Sequence, residues 1–135
     1  HLDYRPRDDE RMHSAQTINA LIAKRGDVPA IIAGDFNAEP GSGPIEEFRK
    51  EWTLAEGGVG SAEGGGPEAK TQGRNGAEER NGPPLLTYPA EKPTKWIDYV
   101  MVRPASRWKV LEGKVIDEGV ASDHRPVLAV LKGVK

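Results

Sequence analysis

A layered α+β or α/β fold is predicted for this chain of 135 residues by three observations. One helical apolar period lies near the start. The other apolar runs are short and strand-like. Those runs outnumber the helices and cluster late in the chain.

In order, His1 to Tyr4 reads as the end of a strand, which Arg5, Pro6 and Arg7 leave. Asp8 or Asp9 suits a helix N-cap, because a carboxylate satisfies free backbone N–H groups and matches the positive helix end. Met12, Ala15, Ile18 and Ile22 recur at three and four residues, with Leu21 beside them, predicting a helix to about Lys24 with one buried stripe. Gly26 ends it. Val28 to Ala33 (VPAIIA) is wholly apolar and predicts a buried strand. Gly34 to Ser42 reads as a loop, and Pro44 to Lys50 as a short helix with Ile45 and Phe48 inward. Strands are predicted at Leu85 to Tyr88, Trp96 to Val102, Trp108 to Ile116 (Val110 and Val115 inward) and Pro126 to Leu131.

Composition narrows the reading. Residues 57–84 are rich in Gly, Glu, Asn and Pro and nearly lack large apolar side chains, so they predict a flexible insertion loop. The ordered part is correspondingly smaller than the length suggests. A net charge of -2 gives no overall positive field for nucleic acid. Without cysteine there is neither a disulfide nor a thiolate metal site. No apolar run reaches the roughly 18 residues of a membrane span. The compartment stays open between an exported bacterial protein and a cytoplasmic one.

Four segments carry chemistry: His1-Leu2-Asp3, Gly34-Asp35-Phe36-Asn37, Trp96-Ile97-Asp98-Tyr99 and Ser122-Asp123-His124-Arg125-Pro126. Each sets polar residues at the edge of an apolar strand, where a rigid sheet can present a site. Carboxylates bind hard cations through oxygen, and an imidazole moves protons near neutrality. An amide fixes water or a phosphoryl oxygen without adding charge. Taken singly, each has a plainer account. Asp35 and Asn37 suit a turn, Asp98 suits a structural salt bridge, Asp123-His124 suits a surface turn, and His1 suits a chain end.

Together and in order, HLDYR, GDFNAEP, WIDYVMV and SDHRPVLA resemble the endonuclease/exonuclease/phosphatase (DNase I-like) family, whose members show T-H-L-D, G-D-F-N, I-D-Y and S-D-H-x-P-V passages. LLTYPAEKPTKWIDY resembles the family's T-F/Y-P to I-D-Y passage. The resemblance implies half of a four-layered α/β/β/α sandwich, with a mixed sheet and flanking helices. The half implied is the C-terminal one, and the opening at His1 is read as a start partway through the domain.

The resemblance also implies a role for each matching residue. Asp35 positions or activates the attacking water, and Asn37 binds that water or the scissile phosphate. Asp123 is a metal-site carboxylate, a duty Asp35 shares. His124 is the acid/base or phosphate-binding imidazole, oriented by Asp98, and His1 contacts the phosphate. The implied activity is Mg2+- or Mn2+-dependent hydrolysis of a phosphoester, foremost a phosphodiester. The alternative is a non-catalytic fragment or binding module. No segment matches the family's early Asn or its metal-binding Glu, and Glu39, Glu46 and Glu47 lie too far along to replace the latter. The N-terminal half of the same domain is therefore an expected partner, needed for full activity. Nucleic acid is left open as a partner: Arg5, Arg7, Arg11, Lys92, Lys95, Arg103 and Arg107 could line a rim, but scattered solvated charges are the favoured account of them.

Overall fold

A computed structural model describes residues 1–55 and 85–135. The insertion expected at 57–84 lies outside the described residues. Helix α1 spans Asp9–Ala23, strand β1 Ala30–Asp35, helix α2 Gly43–Arg49, strand β2 Thr53–Leu54, strand β3 Asp98–Arg103, strand β4 Trp108–Val115 and strand β5 Val127–Gly133. A single 3-10 turn, Ala105–Arg107, joins β3 to β4. The architecture is α+β. β3 is the centre of a three-stranded sheet ordered β1-β3-β2, and β4 and β5 form a second, two-stranded sheet. Every ladder between the described strands is antiparallel, where the resemblance implied a mixed sheet. β1 and β2 point the same way but do not touch, because β3 separates them.

The sheet has two different faces. Paired residues share a face, so Ile32, Met101 and Leu54 form one row and Gly34 and Tyr99 another. This face meets the helices. Phe36, Ile45, Phe48, Trp52, Tyr99 and Met101 are its buried core, with Ile18, Ile22, Ile32 and Leu54 packed around them. Phe36 meets Phe48 and Tyr99 edge-on at 4.8 and 5.3 Å, the geometry that aromatic quadrupoles favour. The opposite face carries Ile31 and Ala33 and ends in Asp35. Ile31 is 50% exposed, so β1 alternates rather than lying buried on both sides as its apolar run suggested.

Helix α1 departs from its apolar pattern in an informative way. Ala15 is buried as expected, but Leu21 is exposed and the other fully buried residues are Arg11 and Asn19. Asp8 occupies the N-cap position without capping, because its carboxylate binds the Arg11 guanidinium instead. Gly26 adopts φ 61° beyond the helix end, a left-handed conformation that a Cβ would disfavour. The segment expected to be a strand at Leu85 to Tyr88 is a single bridge, Tyr88 to Lys95. Two-residue β2 is too short to leave a pattern in the sequence.

Asn19 joins α1 to α2 and to the connection that follows it. Its amide donates to the Glu47 carbonyl at 2.7 Å, and its side-chain oxygen accepts from Trp52 Nε1 at 3.0 Å. Asn19→Ala would leave the buried Trp52 indole N–H without its partner and the Glu47 carbonyl with the Lys50 N–H alone. A loss of about 1–3 kcal/mol is expected in urea unfolding. A change within experimental error would show that the relay contributes nothing.

Candidate functional site

The site forms where β1 and β3 end. Their register sets Asp35 directly opposite Asp98. Like charges placed directly across a ladder repel, so this pair needs compensation. His124 supplies part of it from the turn before β5. Its Nδ1–H donates to Asp98 Oδ2 at 2.9 Å, and its Nε2 lies 3.9 Å from Asp35 Oδ2. His1 approaches from the other side, with Nε2 3.5 Å from the same Asp35 oxygen.

Asp35 is fixed by the turn after it. Asn37 adopts φ 47°, a left-handed conformation that asparagine tolerates better than most residues. The resulting turn lets the Asn37 backbone N–H donate to Asp35 Oδ1 at 2.7 Å. The Asn37 side-chain amide donates to Asp35 Oδ2 and to the Leu2 carbonyl, both at 3.0 Å. Its donors are thus engaged, and Asn37 Oδ1 remains to accept. Phe36, between the two, anchors the loop in the core, and Tyr99 Oη donates to the Ala38 carbonyl at 2.8 Å.

Two supports lie outside the sequence motifs. Buried Arg11 donates from Nη1 to the carbonyls of Asp3 and Arg5, at 2.8 and 2.6 Å, and so straps the first residues to α1. Leu2 N–H completes the placement by donating to the Asp35 carbonyl at 2.9 Å. The turn bearing His124 is lashed to residues 87–90. Arg125 N–H donates to the Thr87 carbonyl, Ala90 N–H donates to the Asp123 carbonyl, and Arg125 Nε donates to the Ala90 carbonyl. Tyr88 then lies against the imidazole, ring centroids 4.8 Å apart. An arginine inside a helical pattern carries no sequence mark of burial, so only the fold reveals Arg11.

One cleft of about 640 Å3 is lined by His1, Asp35, Asn37, Asp123 and His124. Asp98 joins them through its bond to His124. All the sequence-selected residues therefore meet at this cleft, but not in one cluster. Asp35, Asp98 and His124 each offer a ligand atom within 4.8 Å of the others and, among the described residues, form a group that could hold a metal ion. The Asp123 side chain is exposed at the mouth and stands outside that group, bonded weakly to Ser122 Oγ at 3.4 Å.

The electrostatics arise from this crowding. Burial pushes the Asp35 carboxyl up, and the Asp98 charge adds to it, against the Asn37 N–H and His124, which lower it. At His124 burial disfavours the imidazolium. The Asp98 hydrogen bond and the charges of Asp98, Asp35 and Asp123 outweigh it, so the pKa stands above the ordinary 6.5. A group raised on folding stabilises fully below its unfolded value and loses that contribution as pH rises through its folded one. Asp98→Asn should therefore lower the imidazole pKa, read from ring-proton NMR titration. It should also flatten the decline in wild-type Tm above pH 6.5. An unchanged imidazole titration would mean that Asp98 does not hold His124 in solution.

Comparison with known proteins fits this arrangement. The chain aligns over 98–99% of its length with three solved structures. A functionally unknown conserved protein from Enterococcus faecalis V583 is 21% identical, with TM-score 0.68. An endonuclease/exonuclease/phosphatase from Bacteroides vulgatus is 22% identical, with TM-score 0.68. The mannosyl-6-phosphatase Bt3783 of Bacteroides thetaiotaomicron VPI-5482 is 19% identical, with TM-score 0.66. At these identities the likeness concerns the fold. The chain spans about half of those structures, 48–49% of each. No curated protein matches it. The Endonuclease/Exonuclease/phosphatase family model matches residues 1–124, and the chain belongs to that family.

Proposed function

We propose that this chain carries the proton-transfer half of a divalent-metal-dependent phosphoester hydrolase site, with phosphodiesters the first substrate class to test. The observation that carries the reading is the Asp98–His124–Asp35 arrangement. A carboxylate fixes one imidazole nitrogen at 2.9 Å, and the other nitrogen faces a second, partly buried carboxylate across a cleft. This is the orienter–imidazole geometry that acid/base chemistry requires.

In this reading Asp35 accepts a proton from water as the water oxygen bonds to phosphorus. The phosphorus–oxygen ester bond breaks, and His124 donates its Nε2 proton to the leaving oxygen. Asp98 keeps Nδ1 protonated and steadies the imidazolium. Asn37 Oδ1 accepts from the attacking water, since the amide donors are engaged by Asp35 and Leu2. His1 contacts the phosphoryl group from the exposed side.

Oxygen donors suit a hard cation such as Mg2+ or Mn2+, and the facing Asp35 and Asp98 carboxylates leave negative charge for one to balance. We take Asp35, a member of the group that could hold the ion, and Asp123, which lines the same cleft, as its ligands, because Asp98 and His124 are engaged with each other. Such an ion supplies charge neutralisation for the phosphoryl and leaving oxygens. Because the chain spans about half of its structural neighbours, the reading assigns further acidic ligands, and full activity, to the remaining half of such a domain. The same fact favours the second reading, a non-catalytic fragment or binding module.

Bis(p-nitrophenyl) phosphate and p-nitrophenyl phosphate, with Mg2+, Mn2+ or EDTA, test the proposal in protein supplied with the remaining half-domain. His124→Ala is expected to lower kcat by about 100- to 10,000-fold while Mn2+ affinity changes little. Asp123→Ala is expected to weaken Mn2+ binding and to regain part of its rate at high metal. Metal binding without turnover of any phosphoester would favour the binding module. Equal loss of metal by both variants would overturn the division of roles.

A further inference from the structure

The acidic floor of the cleft raises a question that Asp35, Asp98 and His124 leave open. A phosphoryl group entering beside these carboxylates meets repulsion, and a cation must offset it. The cleft is lined by three longer cations, Arg5, Arg11 and Lys95. Arg5 is spent on Asp3, which accepts from its Nε at 2.7 Å and from its backbone N–H at 3.0 Å. That pairing is strong enough to pull the Asp3 carboxyl down to about 2, chiefly through the Arg5 side-chain hydrogen bond. Arg11 is buried between the Asp8 carboxylate and two backbone carbonyls. Lys95 is exposed and forms no ion pair among the described residues.

The backbone explains where Lys95 points. Tyr88 and Lys95 exchange both hydrogen bonds, Tyr88 N–H to the Lys95 carbonyl at 3.1 Å and Lys95 N–H to the Tyr88 carbonyl at 2.9 Å. Residues paired in this way present their side chains on the same face of the ribbon. The Tyr88 ring lies against His124 on that face, so Lys95 is delivered to the same wall of the cleft. An ammonium on a flexible stem suits phosphate as a point charge with three donors.

We propose that Lys95 is a substrate-binding residue that donates to the non-bridging phosphoryl oxygens beside His124. The inference rests on the phosphoester reading and adds to it the cation that receives the substrate's charge.

Isothermal titration calorimetry on the chain supplied with the remaining half-domain, in Mg2+ buffer at pH 8, tests this, with inorganic phosphate as a dianionic probe and dimethyl phosphate as a monoanionic one. Lys95→Ala should weaken phosphate about tenfold, the equivalent of one charge-assisted hydrogen bond, and dimethyl phosphate less. Lys95→Arg should restore most of the affinity. A merely structural role would weaken both probes alike, and that result would overturn the proposal. Equal phosphate affinity in wild type and Lys95→Ala would overturn it while leaving the phosphoester reading intact. A wild-type protein so completed that binds neither probe would overturn both.

Discussion

The electrostatic conflict between Asp35 and Asp98 organises the functional end of this molecule. Antiparallel pairing of β1 and β3 places two carboxylates opposite each other, and nothing in the ladder itself relieves them. Relief comes from groups brought in from other parts of the chain. These are the His124 imidazole from the turn before β5, the Asn37 donors from the turn after β1, and His1 from the first residues. Each has its own tether. Arg11 holds the first residues, Phe36 and Tyr99 hold the loop around Asn37, and Arg125 with Ala90 holds the His124 turn. The site is costly to assemble, and the core around Phe48 and Met101 stabilises the elements that present it.

The division of the sheet into two faces explains how core and site coexist. Tyr99 and Met101 point toward the helices, while Asp98 and Val100 occupy the alternate face. Along β1, Ile32 packs inward and Ile31 and Asp35 lie on the other side. The same short strands therefore bury one set of residues and deliver the other to the cleft. Aromatic side chains at positions adjacent to the acids, Phe36 after Asp35 and Tyr99 after Asp98, keep the backbone from drifting beneath them.

Much of this is legible in the sequence because strand ends and Asx-rich turns have local signatures. GDFN and SDH sit at the edges of apolar runs, and the structure carries their polar residues to one cleft. Both helices and the β3, β4 and β5 strands follow from periodicity, within a few residues at their ends. The features that stay hidden depend on partners distant in sequence. Arg11 and Asn19 occupy helical positions that composition assigns to solvent, and each is buried only because carbonyls or an indole elsewhere await its donors and acceptors. The apolar run before Asp35 suggests burial on two sides, but one face of β1 is open among the described residues. The passage before Pro89 looks extended and proves to be one bridge, whose value lies in pointing Tyr88 and Lys95 the same way. The grouping of Asp98 rather than Asp123 with Asp35 and His124 reflects register, which residue spacing does not encode.

The alternation along β3 also makes this strand unusually intolerant of changes in length. Strand side chains repeat every two residues, so a slip of one inverts every face assignment. A one-residue slip of β3 against β1 would turn Tyr99 and Met101 out of the core while pushing Asp98 toward it. Packing and chemistry would fail in the same event, and no compensating substitution at one position could rescue both. In this segment substitutions are tolerable where insertions and deletions are not. Variation in chain length among natural relatives is accordingly expected to be confined to the connections, and to spare the strand that carries Asp98.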